Sequence, residues 1–179
     1  VEFVQGLASA SANGLYGPGR AAAAIIGHAH LNLGDRVEPV LEALRAASPN
    51  RFRGVRHSCG WDPHPEVENR APEDQLASDE FRAGARVLAR LGLVYENTVF
   101  FPQLPEVAAF ARALPDLTII SNHIGELMRV GPYANKDDEV LAAWRSGITD
   151  IASCPNVVMK LGGVVQPRYG FDWHTNETF

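Results

Sequence analysis

His123 is the residue with the most chemistry in reach. It stands where the apolar run Thr118-Ile119-Ile120 gives way, through Ser121-Asn122, to a loop containing Gly125. A neutral imidazole in that place can bind a divalent metal or take and return a proton near neutral pH. A purely structural hydrogen bond is the competing use. His28-Ala29-His30 carries a second signal. Alternate residues of a strand share a face, so a His-x-His pair can set two imidazoles on one metal. Here the strand is expected to stop at Gly27 and Leu31 to Asp35 reads as loop, which weakens that use of the pair.

Arg56 and His57 are adjacent and must point to opposite faces for as long as their strand lasts. A guanidinium at a strand end suits forked recognition of a carboxylate or carbonyl, or a pairing with a carboxylate on a neighbouring strand. Lys160 lies inside the apolar run Val157 to Leu161, where an isolated ammonium is costly. It is expected either to face a polar mouth or to meet a carboxylate. Gln103 offers an amide that can orient a substrate. Cys59 and Cys154 lack the spacing of a redox pair, and no Gly-x-Ser-x-Gly is present, so acyl-enzyme chemistry has no support. Met128 and Met159 read as core filler.

These side chains need elements to position them. Residues 1–20 read as a short helix running into a turn at Gly17-Pro18-Gly19, and the run Ala22 to Ile26 reads as a buried strand. After Asp35, the positions Val37, Val40, Leu41 and Leu44 share one helical face. Arg51 to His57 alternates like a strand; Ser78-Asp79-Glu80 opens a helix with Phe81, Ala85 and Leu88 on one face, closed by Gly92. Leu93 to Phe101 is rich in β-formers, and Leu104-Pro105-Glu106 opens the next helix. Thr118 to Asn122 is a strand, Asp137-Asp138-Glu139 starts a helix through Ile151, and Val157 to Gly163 is a fifth strand. Five strands alternating with four helices leave an open doubly wound sheet or a closed (β/α)₈ barrel. No Gly-x-Gly-x-x-Gly follows a strand, and the polar residues gather at C-terminal strand ends, which favours the barrel. Residues 58–77, with Trp61 and several prolines and carboxylates, form too long a connection for a plain loop and are expected to act as a lid, with a mobile surface loop as the competing reading.

The bulk composition narrows the function classes. With 179 residues, 46% hydrophobic and 21% charged, the chain is globular, and its net charge of -5 with scattered Lys and Arg argues against a nucleic-acid partner. No apolar run approaches the roughly 20 residues of a membrane helix. Two isolated cysteines suit a reducing, cytoplasmic setting. The oligomeric state is not legible. The chain opens at Val1 without Met and closes on Asn176-Glu177-Thr178-Phe179, so both ends are expected to be internal to a longer protein.

Several motifs occur in an order that resembles the amidohydrolase-related family, in its lactonase-like branch of metal-dependent hydrolases. They are Phe52-Arg53-Gly54-Val55-Arg56-His57, Trp61-Asp62, Phe101-Pro102-Gln103-Leu104-Pro105-Glu106, Asn122-His123-Ile124-Gly125, Gly131-Pro132-Tyr133-Ala134 and Asn156 to Gly163. The resemblance implies a single partial (β/α)₈ TIM-barrel domain over residues 1–179, holding about strands two to six. His123 then matches the family's fifth-strand His, as catalytic residue and metal ligand. The family's first-strand His-x-His would precede Val1, and its eighth-strand Asp, which activates water, would follow Phe179, so His28-Ala29-His30 is not the family pair. It further implies a small-molecule lactone or related carbonyl substrate held by Arg56, Gln103 and Lys160, a divalent metal such as zinc, and hydrolysis by the full-length chain. Decarboxylation by a related barrel, or an inactive remnant, are the alternatives.

Overall fold

The computed structural model describes residues 1–163 and 166–172. Five strands form one sheet in sequential order: β1 (Ile25–His28), β2 (Phe52–Arg56), β3 (Val94–Asn97), β4 (Ile119–Ser121) and β5 (Val157–Met159). Every neighbouring pair is parallel. Helices fill the crossovers: α2 (Glu38–Ala47), α3 (Asp79–Arg90), α4 (Leu104–Ala113) and α6 (Asp137–Ala152), with α1 (Glu2–Ala12) ahead of β1 and the single turn α5 (His123–Glu126) after β4.

Strand register decides which side chains meet. Val55, Tyr95, Ile119 and Val157 lie in one row across β2 to β5. Tyr95 packs edge-on to Phe81 of α3 and Phe110 of α4, at ring separations of 5.6 Å each, so this row faces the helices. The next row, His28, Arg56, Glu96, Ile120 and Val158, therefore faces the other way. The core lies on the helical side, built from Leu41, Val55, Phe81, Leu88, Tyr95, Leu104, Phe110 and Ile119 among others.

Ser78 caps α3 as its sequence suggests, its hydroxyl accepting the Phe81 N–H at 3.2 Å. The first strand differs from expectation. It begins at Ile25 rather than Ala22, and Ala22 has φ +47°. Alanines supply little of the β-branched surface that a sheet packs, so the strand starts only at Ile25-Ile26. Strands β3 and β5 are also shorter than the apolar runs that contain them, and a 3₁₀ turn at Phe101–Gln103 leads into α4. The last residues of the sequence, Asn176 to Phe179, lie outside the described residues.

Glycine is required where α3 meets the 3₁₀ segment Leu31–Val37. A Cβ on Gly84 would lie 2.2 Å from the backbone oxygen of Leu31, so helix and turn touch main chain to main chain. Gly84→Ala is expected to cost about 3 kcal/mol, the upper end for overpacking, because backbone cannot swing aside as a side chain does. Urea unfolding measures it; an unchanged midpoint would show that the contact is slack.

Candidate active site

The C-terminal ends of the strands carry one charged cluster and one imidazole cluster. At the first, Glu96 from the middle of β3 is fully buried between two cations from β2 and the end of β5. Arg56 Nε donates to Glu96 Oε1 at 2.7 Å, with Nη2 on the same oxygen, and Lys160 Nζ donates to Oε2 at 2.8 Å. Burial alone would push the Glu96 carboxyl up, but the hydrogen bonds from Lys160 and Arg56 outweigh it and hold it below the usual carboxylate range. The two cations keep 46% and 47% of their side-chain surface in solvent, so charge is presented to the mouth while the carboxylate stays hidden.

His123 opens the short turn that follows β4. Its Nδ1 donates to the carbonyl oxygen of Gly162 at 2.7 Å, which leaves the neutral ring with a lone pair on Nε2. The backbone that carries it is unusual: His123, Ile124, Gly125 and Glu126 have φ of +53°, +51°, +77° and +32°. Successive left-handed residues with side chains cost roughly 1–3 kcal/mol each and persist only where the surroundings enforce them. The Ile124 carbonyl accepts Trp144 Nε1–H at 2.8 Å, and Gly125 lies so close to Leu104 that a Cβ would come within 2.5 Å of it. Glu126 is held by Arg70 at 3.1 Å and by the Tyr169 hydroxyl. A Cβ on Gly163 would fall 2.2 Å from His123 Nδ1, so Gly163→Ala is expected to displace the ring and mimic loss of His123 in a rate assay; wild-type rates would refute that tight seat.

Gln103 is buried under the same rim. Its Oε1 accepts the N–H of Trp61 at 2.9 Å and of Phe100 at 3.3 Å, and its Nε2 donates to the Cys59 carbonyl at 3.0 Å. It thus joins the 3₁₀ turn before α4 to the start of residues 58–77. That excursion is anchored further along. Tyr133 donates to Asp62 Oδ2 at 2.5 Å, Asp62 N–H binds Asn69 at 2.7 Å, and Arg70 N–H binds the Gly60 carbonyl at 2.8 Å. Cys59, buried against Tyr95 and Gln75, has its thiol pushed up to about 11 by burial, so it is no thiolate nucleophile at neutral pH.

The second cluster lies beside β1. His28, His30 and His57 meet edge-to-face with ring separations of 4.8, 5.3 and 5.7 Å. Burial, then the neighbouring His30 and His28, lower the His57 pKa to about 4. The unfolded chain therefore binds a proton more readily than the folded one between the ordinary value of 6.5 and about 4. Stability from this group is complete above that window and is lost as pH falls through it, by about 3 kcal/mol in all. Unfolding free energies measured across the window are expected to rise with pH in the wild type and to rise much less in His57→Phe; parallel curves would contradict it.

Glu96 is the residue that motif reading missed. Its only signal is a carboxylate within a β-rich run, alternating with Tyr95, which must be buried or paired. Asn97, Ser121 and Asn122, at the ends of β3 and β4, also keep buried side-chain atoms without a partner among the described residues, a pattern that clusters at functional sites. As to metal, among the described residues no group of three or more His, Cys, Asp or Glu side chains is placed to hold an ion. Among the described residues His123 offers one ligand atom, Nε2, without companion ligands, so the residues present do not complete a metal site. No helix among the described residues is long and apolar enough to cross a membrane.

Parallel strands joined by helices, with charged and imidazole side chains gathered at their C-terminal ends, define a β/α-barrel type of enzyme scaffold. The family model described as Amidohydrolase matches residues 19–177, and the chain belongs to that family. It is 31% identical over 151 residues to an L-fucono-1,5-lactonase of Burkholderia multivorans, covering 84% of this chain and 46% of that protein. It is 30% identical over 140 residues to the protein y4mH of Sinorhizobium fredii, covering 78% and 44%. A crystal structure of an amidohydrolase from Burkholderia multivorans with bound zinc superposes with a TM-score of 0.66 at 26% identity, over 96% of this chain and 51% of that one. The chain thus spans about half the length of the relatives it matches, and the expected α/β fold, part of a (β/α)₈ TIM barrel, is borne out by both the parallel sheet and this superposition.

Proposed function

We propose that the protein containing this chain is a hydrolase that adds water to the carbonyl of a lactone, a small cyclic ester. The observation that carries the reading is His123, fixed on a strained turn after β4 with Nε2 unbonded among the described residues, together with the solvent-facing cations Arg56 and Lys160 at the ends of β2 and β5. Support comes from family membership and from the likeness to an L-fucono-1,5-lactonase.

In this reading Arg56 and Lys160 hold the carbonyl oxygen and stabilise the negative charge that develops on it as water attacks. Glu96 fixes both cations without itself touching substrate. His123 acts through Nε2 as proton acceptor toward the water. The carbon–oxygen bond to water forms, the ring carbon–oxygen bond breaks, and the ring oxygen takes a proton, giving a hydroxy acid. Gln103 reaches the substrate only through the loop it holds, and residues 58–77 cover the mouth as a lid.

Incubation of the full-length protein with sugar lactones in heavy-oxygen water tests the reaction type. Hydrolysis places one solvent oxygen in the product carboxylate. Release of carbon dioxide instead would replace this reading by decarboxylation, and no turnover of either kind would remove the catalytic assignment.

A further inference from the structure

The imidazole cluster is not used by the reaction just described, yet it lines a cavity. His28, His30 and His57, with Arg56, Ser58 and Arg70, line an open cavity of about 620 Å³, and no carboxylate is among its lining residues. Arg56 and Lys160 against Glu96 leave one net positive charge next to it. Arg56 engages Glu96 through Nε and Nη2, so Nη1 remains unbonded among the described residues.

The hydrogen bonds fix where the imidazole protons sit. His57 Nδ1 accepts the Leu31 N–H at 3.1 Å, so the neutral ring bears its proton on Nε2. His28 Nδ1 donates to the Arg56 carbonyl at 2.9 Å, so its neutral ring keeps a lone pair on Nε2. His30 has no side-chain hydrogen bond among the described residues. The residues lining the space therefore include a guanidinium with a free edge on Arg56 and an imidazole N–H on His57, both donors, and an imidazole acceptor on His28, whose ring centre lies 5.7 Å from that of His57.

We propose that this cavity binds a carboxylate flanked by hydroxyl groups, the carboxylate on Arg56 and His57 and a hydroxyl donating to His28. A simple carboxylate satisfies only the donors, and a neutral polyol can reach donors and acceptor but brings no charge to the guanidinium; a hydroxy acid supplies both the charge and a hydroxyl donor. The idea rests on the hydrolase reading for the source of such an acid, which would be the opened lactone held at the mouth before release. The binding itself rests on the cavity alone.

Calorimetric titration of the full-length protein with sodium gluconate tests it, with glucitol and acetate as probes lacking the carboxylate or the hydroxyls. Gluconate is expected to bind on the order of tenfold more tightly than either, as one added charge-assisted or acceptor bond would give. His28→Phe is expected to remove the advantage over acetate, and His28→Gln, which restores an acceptor, to retain part of it. Equal binding of gluconate and glucitol, or unchanged gluconate affinity in a folded His28→Phe, overturns the proposal. Lactone turnover measured on the same samples separates the two ideas. Turnover without gluconate preference defeats the cavity assignment only, whereas preference without turnover upholds the cavity and defeats the hydrolase reading.

Discussion

His123→Ala lowers the rate of lactone opening on the order of a hundredfold, the usual scale for removing a positioned acid or base, while unfolding remains cooperative. Among the described residues the ring contributes one hydrogen bond, to Gly162, and its neighbours in the turn are held by contacts that do not involve it: Trp144 on the Ile124 carbonyl, and Arg70 and Tyr169 on Glu126. Alanine also has to adopt the same φ of +53°, so some loss of stability, about 1 kcal/mol, accompanies the change. Steady-state rates and a thermal melt on the same preparation check both parts. A rate within a few-fold of wild type would remove His123 from the mechanism. A collapsed melt would make it a structural residue.

The second large effect concerns the buried carboxylate. Glu96→Gln keeps the shape of the side chain but removes the charge that holds Arg56 and Lys160, so both cations are free to swing into solvent. The rate is expected to fall by on the order of a hundredfold, the scale of one lost oxyanion donor, and stability by about 2 kcal/mol, the worth of the charged hydrogen bonds. The opposite change is costlier to the fold. Arg56→Met with Lys160→Met strands a fully buried carboxylate and is expected to cost about 3–5 kcal/mol. The pH dependence has a definite sign. Because the folded-state pKa of Glu96 is depressed, its contribution is present above the ordinary carboxylate value and disappears as pH falls through the lower folded value. A double variant more stable than Glu96→Gln would contradict this arrangement of charges.

Much of the scaffold could be read from local pattern. The alternation of β-rich runs with amphipathic helices, the Ser78 cap and the apolar face of α3 are all determined within a dozen residues, and each element stands in its expected order. The competing uses weighed for Arg56 and Lys160 also resolve in the same way: each meets a carboxylate, and each still faces solvent. What local pattern could not supply is which carboxylate. Glu96 lies 40 residues from Arg56 and 64 from Lys160, and only the parallel register of β2, β3 and β4 with β5 brings the three together. The same holds for Arg70 and Tyr169, 99 residues apart, which meet over Glu126. The left-handed turn at His123 was equally invisible, since only its Gly125 belongs to a residue type that favours such angles. The imidazole cluster combines both cases: His28-Ala29-His30 is spelled out in the sequence, but its third member, His57, is supplied by the neighbouring strand.

Acid release from neutral sugar lactones by the full-length protein, followed with a pH indicator, tests the central claim most directly. The account predicts saturable release of one proton per lactone, far above spontaneous opening. Acid release no faster than in buffer alone, across five- and six-membered lactones, would contradict it.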